Sequence, residues 1–170
     1  DIITASAGTS NFRAGVNAGN SIQSGGNYNV VVGDEAGTAL TTGDGNVALG
    51  YGALIAEDTG LYSTALGYEA LANQNNDSSN YNTAVGTQAG RSVTTGVRNT
   101  IIGGIAGDAL TDADDNTVLG YNALTSDTLG SKTVAIGRSV LSSQNFTSAT
   151  DTYNTAVGYN AGGQVTTGLR

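Results

Sequence analysis

The side chains of this chain that could do chemistry are few and mostly acidic. Fourteen Asp and Glu stand against six Lys and Arg, and His and Cys are absent. The densest acidic run is Asp112, Asp114 and Asp115. Two chemistries would use such a run. Glycoside hydrolysis needs two carboxylates facing each other across a cleft. A calcium site needs several hard oxygen ligands. The counterpart loop in the preceding unit, Thr42-Gly43-Asp44-Gly45, keeps a single Asp. The run is therefore not a maintained constellation. It reads as a solvated loop, with Asp112, Asp114 and Asp115 the candidate for a weak metal site. Neither an EF-hand loop nor a G-G-x-G-x-D run accompanies it. A G-x-S-x-G nucleophile turn is also missing. The expectation is a chain with no catalytic residue and no cofactor.

Binding chemistry has more material. All eight tyrosines keep two fixed registers, one holding Tyr51, Tyr68, Tyr121 and Tyr159, the other Tyr28, Tyr62, Tyr81 and Tyr153. They read first as structural ladders and second as an aromatic platform for a glycan or a host surface. Two long polar loops, residues 73–80 and 142–152, are the candidate receptor contacts, through Asn75, Asn76, Asn145 and Phe146. A net charge of −8 disfavours nucleic acid and anionic membrane surfaces, which call for a basic face. No apolar run approaches the ~18 residues of a membrane span.

All of these residues hang on one recurring frame. Asn154-Thr155-Ala156-Val157-Gly158-Tyr159-Asn160-Ala161-Gly162 has relatives along the chain, with central glycines at 15, 33, 50, 67, 86, 103, 120, 137 and 158. The steps between them are 18, 17, 17, 19, 17, 17, 17 and 21 residues. A short fixed period means a solenoid. With the glycine as position zero, position −1 is apolar in every copy and −3 is β-branched in all but Phe12. Position −2 is Ala, Val or Ile except at Arg13, and position −4 is Asn except at Ser63 and Thr133. Apolar character with period two predicts a strand over about −4 to −1. Glycine turns the corner, and a second short strand is expected around the Ala at +3. The −1 and −3 residues, such as Val85, Ile136 and Val157, are expected inside each coil. Ala84, Ala135 and Ala156 at −2 would then face another chain or sheet, while Asp127 would lie in a loop. The −4 amides are expected to bond backbone and stack as a ladder, with an ion held among them as the lesser reading.

A larger period overlies the first. Position +4 reads Gly, Gly, Leu, Leu, and Tyr81 to Arg98 returns 72 residues later as Tyr153 to Arg170. The unit is four coils. The whole of 1–170 reads as one repeat array, a segment of a longer protein. A module duplicated in this way suits a shaft better than an active site.

Thr133-Val134-Ala135-Ile136-Gly137 resembles the S-V-A-I-G signature of YadA-like heads of trimeric autotransporter adhesins. Asn82-Thr83-Ala84-Val85-Gly86 is similar to it. The full frame also resembles the repeats of phage tail-fibre and tail-spike proteins, over residues 11–170. The resemblance implies an all-β, left-handed parallel β-roll of about nine coils, assembled as a homotrimer. It also implies a non-catalytic role in a surface-attachment fibre on a virion tail or a cell surface, touching a host glycan or protein. Adhesin heads repeat at shorter spacing, and the coils of 17 or more residues here look more like the phage type. Two alternatives lie outside attachment. One is a polysaccharide-degrading β-helix. The other is an ice-binding solenoid, which needs a regular Thr array that Thr94-Thr95 and Thr166-Thr167 supply only once per unit.

Overall fold

The computed structural model describes residues 7–169. Arg170, the last residue of the second Tyr-to-Arg repeat, lies outside them. The fold is an all-β parallel solenoid of about nine turns, with no helix among the described residues. Nine three-residue strands stack in one sheet: β1 (Phe12–Ala14), β2 (Val30–Val32), β3 (Val47–Leu49), β4 (Thr64–Leu66), β5 (Thr83–Val85), β6 (Thr100–Ile102), β7 (Thr117–Leu119), β9 (Val134–Ile136) and β11 (Thr155–Val157). Two-residue strands β8 (Gly130–Ser131) and β10 (Thr150–Asp151) pair beside it, where the longest loop crosses. Every neighbouring pair in the large sheet is parallel and in the register of the frame, −3 on −3 and −1 on −1.

The two faces of the strand are reversed from the expected assignment. Position −2 points inward: Val31, Ala48, Ala65, Ala84, Ile101, Val118 and Ala135 have no exposed surface. The −1 residues, expected inside, lie on the outer face, with Leu49 at 42%, Leu119 at 44% and Val157 at 65% exposure. The reason is width. Inside the coil the −2 side chain meets the Ala at +3, itself buried in coil after coil. A cross-section that thin takes Ala, Val or Ile and leaves the larger row outside.

The expected second strand is absent among the described residues. Positions +1 to +4 form tight turns, in which the +3 N–H donates back to the glycine carbonyl, as Ala36 does to Gly33 at 3.2 Å. The +2 and +4 residues are left-handed throughout, including Glu35 (φ 60°) and Leu54 (φ 50°). Position −5 is left-handed too, from Tyr28 to Tyr153. An extended pleat cannot contain such residues.

The zero position does require glycine. Gly103 has φ 135°, and a Cβ there would fall 2.5 Å from the Gly120 carbonyl oxygen. Strain and overlap with rigid backbone both act, each of order 1–3 kcal/mol. Gly103→Ala is therefore expected to lower unfolding free energy by about 3 kcal/mol, read by urea denaturation. Gly104→Ala, where a Cβ would meet nothing nearer than a Tyr121 ring carbon at 3.6 Å, is the mild comparison.

The four-coil period has a volume explanation. When +4 is Gly, the residue at +7 is apolar and folds back over it. A Cβ on Gly37 or Gly107 would lie 2.8 or 2.9 Å from the Cδ1 of Leu40 or Leu110. When +4 is Leu, that side chain fills the space, and +7 becomes Glu57, Gln74, Asp127 or Gln144, all fully buried.

Candidate interaction face and the polar interior

Two built features stand out, one on each side of the sheet. Outside, the −1 and −3 rows form an apolar strip along all nine strands. At ~4.8 Å per strand the strip is about 40 Å long. Val30, Leu49, Leu66, Ile102, Leu119 and Val157 are exposed in it, as are Thr100, Thr117 and Thr155, between intermediate Val, Ile and Thr neighbours. The tyrosine rows flank it, two residues beyond each end of the strand, and all eight rings are exposed. Tyr51 stacks on Tyr68, and Tyr62 on Tyr81, with centroids 5.4 Å apart. The Arg138 guanidinium lies 5.9 Å from the Tyr121 ring and 5.7 Å from that of Tyr159. Lys132 lies over Tyr153 at 5.3 Å. Such contacts hold the rows in coil register.

Inside, the −4 residues form a hydrogen-bonded spine. Each Asn Nδ2 donates to a backbone carbonyl one coil on: Asn29 to Gly43 at 2.8 Å, Asn82 to Gly96 at 2.7 Å, Asn99 to Ala113 at 2.7 Å. From Asn11 to Asn116 each Oδ1 accepts the next coil's −4 N–H, as Asn29 accepts from Asn46 at 2.8 Å. These amides are engaged with backbone, which accounts for the ladder without an ion.

Ser63 and Thr133 interrupt the ladder, and the polar +7 residues bridge the gap. Gln74 Nε2 donates to Ser63 Oγ and to Glu57 Oε2, both at 2.8 Å, and its Oε1 accepts from Asn82 Nδ2 at 2.8 Å. Glu57 also accepts from Gly60 N–H at 2.8 Å and Asn80 Nδ2 at 2.9 Å. Burial pushes its carboxyl above the usual range, against the hydrogen bonds from Gln74 and the Gly60 and Asn76 N–H groups. About 70 residues later the arrangement recurs. Gln144 Nε2 donates to Asp127 at 2.6 Å, its Oε1 accepts from Asn154 Nδ2 at 2.8 Å, and Asp127 takes Gly130 and Phe146 N–H at 3.1 and 2.9 Å. The sequence reading gave Glu57, Gln74 and Gln144 no role and placed Asp127 in a loop. Their signal is the spacing of Glu57 to Asp127 and Gln74 to Gln144, always in coils with Leu at +4.

The predicted site residues separate. Asp112 accepts from Thr95 Oγ1 at 2.6 Å, Asp114 from Val97 N–H at 2.8 Å, and Asp115 from Arg98 Nε at 2.7 Å. Arg98 also pairs with Asp114, at 3.5 Å, so Asp114 and Asp115 share a cation while Asp112 bonds to Thr95, and no group of three or more metal-ligating side chains occurs among the described residues. The Arg98 hydrogen bond holds the Asp115 carboxyl below its usual range. Phe146, which the sequence left open between an exposed contact and a ring tucked onto the roll, is 7% exposed and tucked against the solenoid, with its N–H donating to Asp127. Asp127 is likewise buried rather than in a solvated loop. Asn75 is exposed, while Asn76 and Asn145 are half-buried. Ala84 and Ala135 are core, Ala156 is partly buried against that core, and Val85, Ile136 and Val157 belong to the outer strip. Among known proteins, no family model, curated protein or solved structure matches the chain.

Proposed function

We propose that this segment is a non-catalytic structural part of a trimeric surface-attachment fibre, of the kind carried by a phage tail. The observation that supports it is the outer strip. An apolar band running the full length of the solenoid and edged by tyrosines is far longer than the scattered apolar residues of an ordinary surface. Packing three copies around a common axis buries it at ~25 cal/mol per Å2 of apolar area. Chain-to-chain contact then runs through −1 and −3 rather than through −2. The Thr on the −3 row leaves room for close approach. Every coil repeats the strip, as a shaft requires and a single-site enzyme does not. Host glycan or protein would be met by the loop tips, where Asn73, Asn75, Thr147 and Ser148 are exposed, with avidity from three chains.

The test is light scattering on the purified chain, beside Leu66→Arg combined with Leu119→Arg. The wild type is expected as a trimer. The double variant, changed only on the outer face, is expected as a folded monomer with unaltered circular dichroism. A wild-type chain that stays monomeric at tens of micromolar would sink the proposal.

A further inference from the structure

The eight tyrosines divide into two classes by what their rings face. Tyr51 stacks on Tyr68 with ring centroids 5.4 Å apart and an interplanar angle of 15°. Tyr62 stacks on Tyr81 at the same 5.4 Å and an angle of 20°. These four rings are each about half exposed, with one side on a second phenol and an edge open to solvent. The other class has cations or no ring beside it. Arg138 lies between Tyr121 and Tyr159, and Lys132 lies over Tyr153. Tyr28 is followed in its row by Gly45. Exposure alone ranks them otherwise, since Tyr28 and Tyr159, at 66% and 75%, exceed all the paired rings.

Each stacked pair joins consecutive coils, and the backbone fixes its register. Glu69 N–H donates to the Tyr51 carbonyl at 2.9 Å beside the first pair. In the second pair Tyr62 and Tyr81 share a left-handed backbone, with φ 62° and 52°. Two phenols held this way have already made the encounter that a bimolecular reaction must wait for. The chemistry open to them is one-electron oxidation followed by coupling of the two rings. The first pair also has a proton acceptor in place. The Tyr68 hydroxyl hydrogen-bonds to the Glu69 carboxylate, which Gln88 Nε2 and Arg91 Nε hold at 3.0 and 2.9 Å. A cation beside a ring works the other way. Arg138 and Lys132 oppose removal of an electron from Tyr121, Tyr159 and Tyr153.

We propose that Tyr51 with Tyr68, and Tyr62 with Tyr81, are oxidative coupling sites, at which a peroxidase and hydrogen peroxide tie neighbouring coils together through dityrosine. Each phenol gives one electron to the oxidant and loses its hydroxyl proton, which passes from Tyr68 to Glu69. The two phenoxyl radicals form one Cε–Cε bond. Each bonded carbon then sheds its hydrogen as a proton, and each oxygen takes a proton back, so both rings are aromatic phenols again. In sum the pair loses two electrons and two protons, which reduce one hydrogen peroxide to two waters. The tie spans a single coil step and restrains the unfolded chain as any covalent cross-link does. The reaction runs within one chain and does not depend on the trimer.

The test treats the whole chain with a haem peroxidase and limiting hydrogen peroxide, then digests it after Arg, Lys and Glu for mass spectrometry. Residues 36–57 then carry Tyr51, 58–69 carry Tyr62 and Tyr68, and 70–91 carry Tyr81. Links of 36–57 to 58–69, and of 58–69 to 70–91, are expected at least tenfold above any link through Tyr28, Tyr121, Tyr153 or Tyr159. Tyr68→Phe should remove the first link and spare the second, and Tyr81→Phe should do the reverse. The preference should vanish in concentrated urea. Dityrosine fluorescence gives the rates. Glu69→Gln should slow coupling at least threefold in the Tyr81→Phe chain, and leave the rate unchanged in the Tyr68→Phe chain. Coupling led by Tyr28 and Tyr159, as exposure alone would dictate, overturns the proposal. So do products that mostly join two chains. Equal slowing of both pairs by Glu69→Gln overturns its part as proton acceptor, because that would be an effect on the fold.

Discussion

Ala84→Arg is expected to unfold the middle of the solenoid. Ala84 has no exposed surface and sits in register between Ala65 and Ile101. The guanidinium would find no carboxylate among the apolar residues of the core cluster. An unpaired charge in an apolar interior, added to overpacking, costs upwards of about 4 kcal/mol. In a stacked array each coil contacts only its neighbours, so the break should also free the coils on either side. Thermal denaturation should show a large fall in midpoint, or no cooperative transition. Leu66→Arg, next to Ala65 (the register partner of Ala84) yet on the outer face, should leave the midpoint within a few degrees and act on the oligomeric state. If both substitutions acted alike on folding, the assignment of inside and outside would be wrong.

The second large effect concerns Glu57. Glu57→Ala leaves Gly60 N–H, Gln74 Nε2 and Asn80 Nδ2 buried without their acceptor. Each lost partner costs about 1–3 kcal/mol, partly offset by removal of a buried charge, for a net loss of about 3 kcal/mol. The pH dependence gives a second readout. Burial raises the folded-state carboxyl above its ordinary value of 4.5. The native state therefore holds this proton more tightly than the unfolded chain. Stability from this group is fully present below about pH 4.5 and declines as pH rises through the folded-state value. Glu69, Asp115 and Asp151 are shifted the other way, by Gln88, Arg98 and Lys132 respectively. Their stabilisation is lost on acidification, and their exposure keeps it small. Subtracting the urea-derived stability of Glu57→Ala from that of wild type at each pH cancels these background terms. The difference should be largest near pH 4 and shrink toward neutrality. A difference that grew with pH would mean that the buried carboxylate is stabilised as the anion.

The period, the parallel register and the glycine corners were legible in the sequence, because each is a one-dimensional property that repeats nine times. The facing of the strand was not. Positions −1 and −2 are both apolar, and hydrophobicity alone favours the larger row inside. The deciding quantity is the width of the coil, set by turn geometry that the frame does not spell out. The turns were missed for a related reason. Left-handed Glu35, Leu54 and Gln88 carry no glycine to announce them. The place of Phe146, contact or tucked side chain, stayed open in the sequence because loop polarity hid its anchor: its N–H donates to Asp127, one coil away and adjacent only after coiling. Among the acidic residues, the surface run of Asp112, Asp114 and Asp115 drew attention, while the buried Glu57 was passed over and the buried Asp127 was placed in a loop. A single carboxylate in a polar loop looks the same whether it faces water or an amide.

The bridge from Glu57 through Gln74 has a consequence for how such a rod can change length. The donor and acceptor of that bridge sit in consecutive coils, as do those of Asp127 and Gln144. Losing one coil of such a pair strands the other coil's buried polar group. Both must be gained or lost together. The coils with Gly at +4 carry their compensating apolar residue within themselves, so one of them can be dropped without orphaning a partner. The rod is thus divisible by one coil in some places and only by two in others. Its lengths are quantised by hydrogen-bond bookkeeping in the interior, and the duplicated four-coil unit, two of each kind, is a multiple that respects both rules.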